Sequence, residues 1–168
     1  MDDRLLGIYL NDHLAGATAG VELARRCAGR NRGSDSGRRL AKISREIEED
    51  REQLRAVMRK LAAGENVAKT TLAWIAERTG RLKLNGRLLS YSPLSRVEEL
   101  EALRLGVEGK LALWRALKET RATDPRLKGI DLDELARRAE GQRDELESMR
   151  LEAASQAFGT APVGRKRR

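Results

Sequence analysis

The chain has 168 residues, 36% of them charged and only 3% aromatic, and a formal net charge of +8. That length suits one domain with a real core, and the wealth of Leu, Ala, Arg and Glu favours long amphipathic helices over sheets. Apolar runs such as Leu111 to Trp114 fall far short of the ~20 residues of a membrane-spanning helix, the acidic start Met1-Asp2-Asp3 lacks the basic region of a signal peptide, and the lone Cys27 makes no intrachain disulfide, so a cytoplasmic protein is expected.

The first predicted helix covers about residues 4–28, with Leu6, Tyr9, His13, Gly16, Gly20 and Leu23 on one stripe and Gly29 as its stop. Its small residues would let a neighbouring helix come close, and Cys27 reads as a small buried apolar residue. The second covers about 36–63. Leu40, Ile43, Ile47, Asp50, Leu54, Val57 and Leu61 recur at steps of three and four, Ser34-Asp35-Ser36 offers N-caps, and Gly64 suits the left-handed C-cap. Residues 64–94 then form a long connection, with a short helix over about 66–79 that carries Val67, Leu72, Trp74 and Ile75, and an Asn85-Gly86 turn between further leucines. This apolar content should pack along the bundle flank. The third long helix, about 95–122, opens with Ser95 and Glu98 at capping-box spacing and carries Leu100, Leu103, Val107, Leu111, Trp114 and Leu117. The fourth, about 131–158, carries Leu132, Leu135, Ala139, Gln142, Leu146, Met149 and Ala153, and residues 159–168 read as a disordered basic tail.

Short links around 30–35 and 123–129 make two antiparallel helical hairpins, and the connection between them is long enough to cover the ~40 Å of a helix. The expected fold is therefore an all-α four-helix bundle over residues 1–158, with a crossover between its hairpins. This layout resembles the ferritin-like superfamily. The phrases Tyr9-Leu10-Asn11-Asp12-His13 and Arg45-Glu46-Ile47-Glu48-Glu49-Asp50-Arg51-Glu52-Gln53-Leu54 look like first and second helices of uncharacterised bacterial members. The resemblance implies a di-iron centre with a Glu on each of two helices and a Glu-x-x-His pair on each of the others. This chain departs from it: Glu46-x-x-Glu49, Glu49-x-x-Glu52 and Asp50-x-x-Gln53 on the second helix, with Glu140-x-x-Arg143 and Asp144-x-x-Glu147 on the fourth, supply no histidine. Arg143 would put a permanent cation where the family binds metal.

Counting outward from the two hairpin turns sets the only histidine, His13, level with Asp50, and Gln142 level with Lys110 and Glu108. The resulting polar layer of His13, Asp50 and Gln142 has two readings. One is a metal or ligand site of His13, Asp50 and Glu108, with Glu22, Glu46 or Glu140, holding iron or manganese. The other is a buried hydrogen-bond network in which Asp50 satisfies His13 and fixes helix register, with no cofactor.

The positive charge is local. Arg165, Lys166, Arg167 and Arg168 supply +4, residues 25–45 supply +7 (Arg25, Arg26, Arg30, Arg32, Arg38, Arg39, Lys42 and Arg45 against Asp35), and the rest carries −3. Such a patch suits sequence-independent contact with nucleic acid or an anionic surface, or it is simply a solvated turn and tail. The runs Glu48-Glu49-Asp50 and Glu98-Glu99 read as solvated helix faces. There is no phosphate-binding glycine loop, no nucleophile elbow, no Cys-x-x-Cys pair, and no Ser or Cys at helical spacing from His13. Trp74 and Trp114 suit a core or a homodimer contact. The expected function is a non-catalytic binding or structural module, the alternatives being a metal-dependent oxidoreductase with a nonstandard centre and a nucleic-acid-binding accessory protein.

Overall fold

Each long helix starts where a short oxygen-bearing side chain satisfies a free backbone N–H. Asp2 accepts from the amides of Arg4 and Leu5 at the head of α1, Asp3–Arg30, and Ser34 accepts from Gly37 at the head of α2, Asp35–Lys60. Ser92 accepts from Ser95 before α3, Pro93–Thr120, whose Pro93 needs no donor at that position. Asp131 accepts from Glu134 before α4, Leu132–Phe158, after a short 3₁₀ turn at Pro125–Leu127. The cap of α3 is thus Ser92, one turn ahead of the Ser95–Glu98 pairing expected from sequence. The helix α2 ends earlier than residue 63, and the residue that goes left-handed after it is Ala62, with φ of 54°, not Gly64.

The computed structural model describes residues 2–65 and 92–159. The expected helix at 66–79, the Asn85-Gly86 turn, Trp74 and the basic tail lie outside them. The described residues are helical with no β-strand, and no helix among them is long and apolar enough to cross a membrane. The helix α1 packs on α2, α3 on α4, and α1 on α3, around one apolar core. The periodic residues of α2, α3 and α4 named above all lie in the core or are buried polar members of the same stripes, with Trp114 fully enclosed.

In α1 the core face differs from expectation. It runs through Leu10, Leu14, Val21, Leu23, Ala24 and Cys27; of the predicted stripe Leu23 is buried and Leu6 packs against the core, while Tyr9 and Gly16 stand exposed and His13 is half-buried. The helix is therefore turned relative to the predicted stripe. The first turns of α1 are apolar almost all round, so Leu5 and Ile8 are left on the surface.

The ends of the bundle follow from a few contacts. Arg30 meets Glu99, Arg39 meets Glu152, and Arg96 meets Gln156, which brings together the end of α1, the starts of α2 and α3, and the end of α4. At the opposite end Arg126 binds Asp124, Asp3 and the carbonyl of Leu61, and the Asn11 amide donates to Gly64. Neighbouring helices α1 and α3, and α2 and α4, accordingly run antiparallel.

Candidate functional site

Mid-bundle, three helices send polar groups into the apolar interior. Asp50 occupies a core position of α2 and is 2% exposed, and Gln142 does the same on α4 at 3%. Lys110 reaches in from α3, and Arg138, one turn before Gln142 on the same face of α4, reaches in from the rim. Both Asp50 oxygens are engaged: Oδ1 accepts from Arg138, and Oδ2 accepts from the Lys110 ammonium and from the Gln142 amide at 3.1 Å. The Gln142 carbonyl accepts from Lys110 in turn, and its amide also reaches Glu46 at 3.2 Å. A buried carboxylate without partners would cost several kcal/mol, and here both Asp50 oxygens and both ends of the Gln142 amide meet complements, while the buried Arg138 Nε has no hydrogen-bond partner. Burial lowers the pKa of Lys110 below its ordinary 10.5, an effect opposed by the Asp50 charge.

Of the residues singled out from sequence, Asp50, Gln142 and Glu46 are brought together. The others are not. His13 packs edge-on against Tyr9, ring centroids 4.5 Å apart, and among the described residues it forms no hydrogen bond, so Asp50 is satisfied by Lys110, Arg138 and Gln142 rather than by His13. Burial lowers the His13 pKa below 6.5, with Asp12 pulling the other way. Glu108 lies on the rim near Arg143 at 3.8 Å, Glu140 pairs with Arg115 at 2.7 Å, and Glu22 pairs with Arg25 at 3.3 Å. Arg143 also stays on the rim, bound to Asp144. The cation inside the bundle is Lys110.

The two-metal centre implied by the family resemblance does not fit these residues. Its carboxylates would have to face each other across metal ions, yet the ammonium of Lys110 is bonded to Asp50 and Gln142, and the Arg138 guanidinium takes the second Asp50 oxygen. Two fixed positive charges on one carboxylate repel a third. Among the described residues no group of three or more His, Cys, Asp or Glu is placed to hold a metal ion.

A second buried carboxylate escaped sequence reading. Glu99, expected on a solvated face, is buried between α1 and α3, where it accepts from the Cys27 thiol at 3.5 Å and from Arg30, with Arg26 3.7 Å away. Burial and then the Glu99 charge push the Cys27 thiol up, away from the reactive thiolate. The basic turn is likewise largely neutralised from within. Arg25 pairs with Glu48, Arg26 and Arg30 with Glu99, Arg38 with Asp35, Arg39 with Glu145 and Glu152, and Lys42 approaches Glu46 at 3.8 Å. Of the eight cations between residues 25 and 45, Arg32 and Arg45 have no ion pair among the described residues. Compared with protein-family models, curated proteins and solved structures, the chain matches none.

Proposed function

We propose that this chain is a ferritin-like helical bundle serving as a non-catalytic binding or structural module, with a lysine ammonium in the place of a metal centre. The observation that carries this reading is the bonding of Lys110 to both Asp50 and Gln142 inside the bundle. A protonated lysine supplies one positive charge among oxygen acceptors without any exchangeable ion, and its bonds fix the register of three helices against one another. The ferritin-like arrangement itself is supported by the antiparallel pairing of α1 with α3 and of α2 with α4. That pairing makes α2 and α3 parallel, which is the orientation a crossover between the two hairpins would call for.

The test is metal content and its effect on stability. Untagged protein purified without chelators should carry iron, manganese and zinc well below one equivalent, and a chelator should leave its melting temperature unchanged. One equivalent of any of these metals, lost in an Asp50→Asn variant, would overturn the proposal in favour of a metal-dependent oxidoreductase.

A further inference from the structure

The first two turns of α1 leave an apolar patch on the surface: Leu5 is 62% exposed, Ile8 52% and Tyr9 37%. Large apolar side chains grouped on a helix surface mark a contact site, whereas scattered single ones do not. Charged residues flank this patch in a definite order. Arg4 lies one turn before Ile8 and Asp12 one turn after it, on the same ridge of the helix, and both are exposed. Among the described residues neither forms an ion pair, while the neighbouring carboxylates are engaged: Asp2 accepts from the amides of Arg4 and Leu5, and Asp3 holds Arg126. At 1.5 Å per residue the two free charges sit about 6 Å to either side of Ile8.

We propose that this face binds a second copy of the chain, two α1 helices packing antiparallel about a twofold axis near Ile8. Such an axis sets Arg4 of each copy level with Asp12 of the other, and Ile8 against Ile8, with Leu5 and Tyr9 on the flanks. Residues 4, 8 and 12 form an i, i+4 ridge, and ridges of this kind interdigitate in the commonest class of helix packing. The order of the charges selects the occupant. A lipid or nucleic-acid surface presents one sign of charge and would meet Asp12 as well as Arg4, whereas a copy running in reverse presents base to acid at both ends. A face of this size offers roughly 500 Å² per copy, less than the ~800 Å² of a standard interface, so the pair forms at about 0.1 mM rather than at nanomolar concentration. The proposal names a partner for the module above and rests on that reading only in treating the chain as one that acts by contact; it stands whether or not the interior binds metal.

Sedimentation equilibrium of the full chain from ~10 μM to ~1 mM tests this. The mass should rise from monomer toward dimer, and the one imidazole resonance, from the His13 ring packed on Tyr9, should shift over the same range. Ile8→Glu sets two carboxylates at the axis and should weaken association about tenfold or more, with the helical circular dichroism intact because the position is exposed. Arg4→Asp alone and Asp12→Arg alone each turn two attractive pairs into like-charge pairs and should weaken it roughly three- to tenfold. The double variant exchanges the two charges and should restore association to within about twofold of the original. A monomer at every concentration, a dimer indifferent to Ile8→Glu, or a double variant no stronger than the singles would overturn the proposal. So would a monomer that binds phosphatidylcholine vesicles and loses them on Ile8→Glu, an outcome that assigns the face to lipid. Metal content is unmoved by any of these results, so this proposal and the metal-free interior fail separately.

Discussion

Asp50→Asn should be among the most costly single changes in the bundle. The substitution keeps the shape of the side chain but removes the only negative charge bonded to both Lys110 and Arg138 inside the core. Breaking a buried ion pair costs about 3–5 kcal/mol, and the new amide oxygen still accepts one hydrogen bond, which brings the expected cost to about 2–3 kcal/mol. For a domain of this length that is a fall of roughly 5–10 °C in melting temperature. Lys110→Met removes the ammonium while Asp50 keeps Arg138 and Gln142, so about 1–2 kcal/mol is expected. In the double variant no buried ammonium is left stranded, so the two costs should fall short of additivity by about 1–3 kcal/mol. Urea unfolding followed by circular dichroism measures all three, provided the slope against urea is unchanged. The cycle carries a pH signature as well. Because the folded Lys110 titrates below 10.5, the unfolded chain binds more protons between that depressed value and 10.5, and stability rises with pH across that window. Lys110→Met should lose this alkaline rise. Additivity within ~0.5 kcal/mol, or a cost for Asp50→Asn below that figure, would refute the closed network.

His13, the only imidazole, gives one resonance by nuclear magnetic resonance, and its titration should centre below 6.5. Since the folded form resists protonation more than the unfolded form, stability should be lost as pH falls from 6.5 through the folded value, and His13→Gln should lack that loss in urea unfolding. The α1–α2 turn and the end of α2 give a pair with opposite signs. A β-carbon on Gly37 would stand 2.0 Å from the Asn31 carbonyl oxygen, so Gly37→Ala should cost about 1–3 kcal/mol. Ala62→Gly, which relieves a left-handed alanine, should add about 0.5 kcal/mol.

How far the sequence speaks depends on how one-sided each helix is. In α2 the apolar residues stand against mostly charged neighbours, so the stripe from Leu40 to Leu61 is plain and Asp50 falls on it, although the run Glu48-Glu49-Asp50 by itself reads as a solvated face. The helices α3 and α4 are nearly as plain. In α1, Leu5, Leu6, Ile8, Tyr9 and Leu10 surround the helix, periodicity selects no face, and a stripe drawn through His13 misses the one through Leu10 and Leu14. The site divides in the same way. Asp50 and Gln142 are legible because they interrupt apolar stripes. Arg138 is not, because an arginine beside Arg137 looks solvated until a long side chain is seen to reach inward from the rim. Glu99 is hidden for a different reason: its burial depends on Cys27 and Arg30, some seventy positions away, and no local pattern reports such a pairing.

The guanidinium of Arg126 holds three pieces of chain at once: Asp3 at a separation of 123 positions, the Leu61 carbonyl at 65, and neighbouring Asp124. With the first hairpin alone, the Leu61 carbonyl and Asp3 lose the donor that joins them. With the second alone, Lys110 and Arg138 lose the carboxylate they share. The two halves are thus cut to need each other at both the end and the middle of the bundle. Loop-closure entropy is spent before either set of bonds can form, which places these contacts late in folding and makes the assembled bundle, rather than the hairpin, the unit that gains or loses structure as a whole.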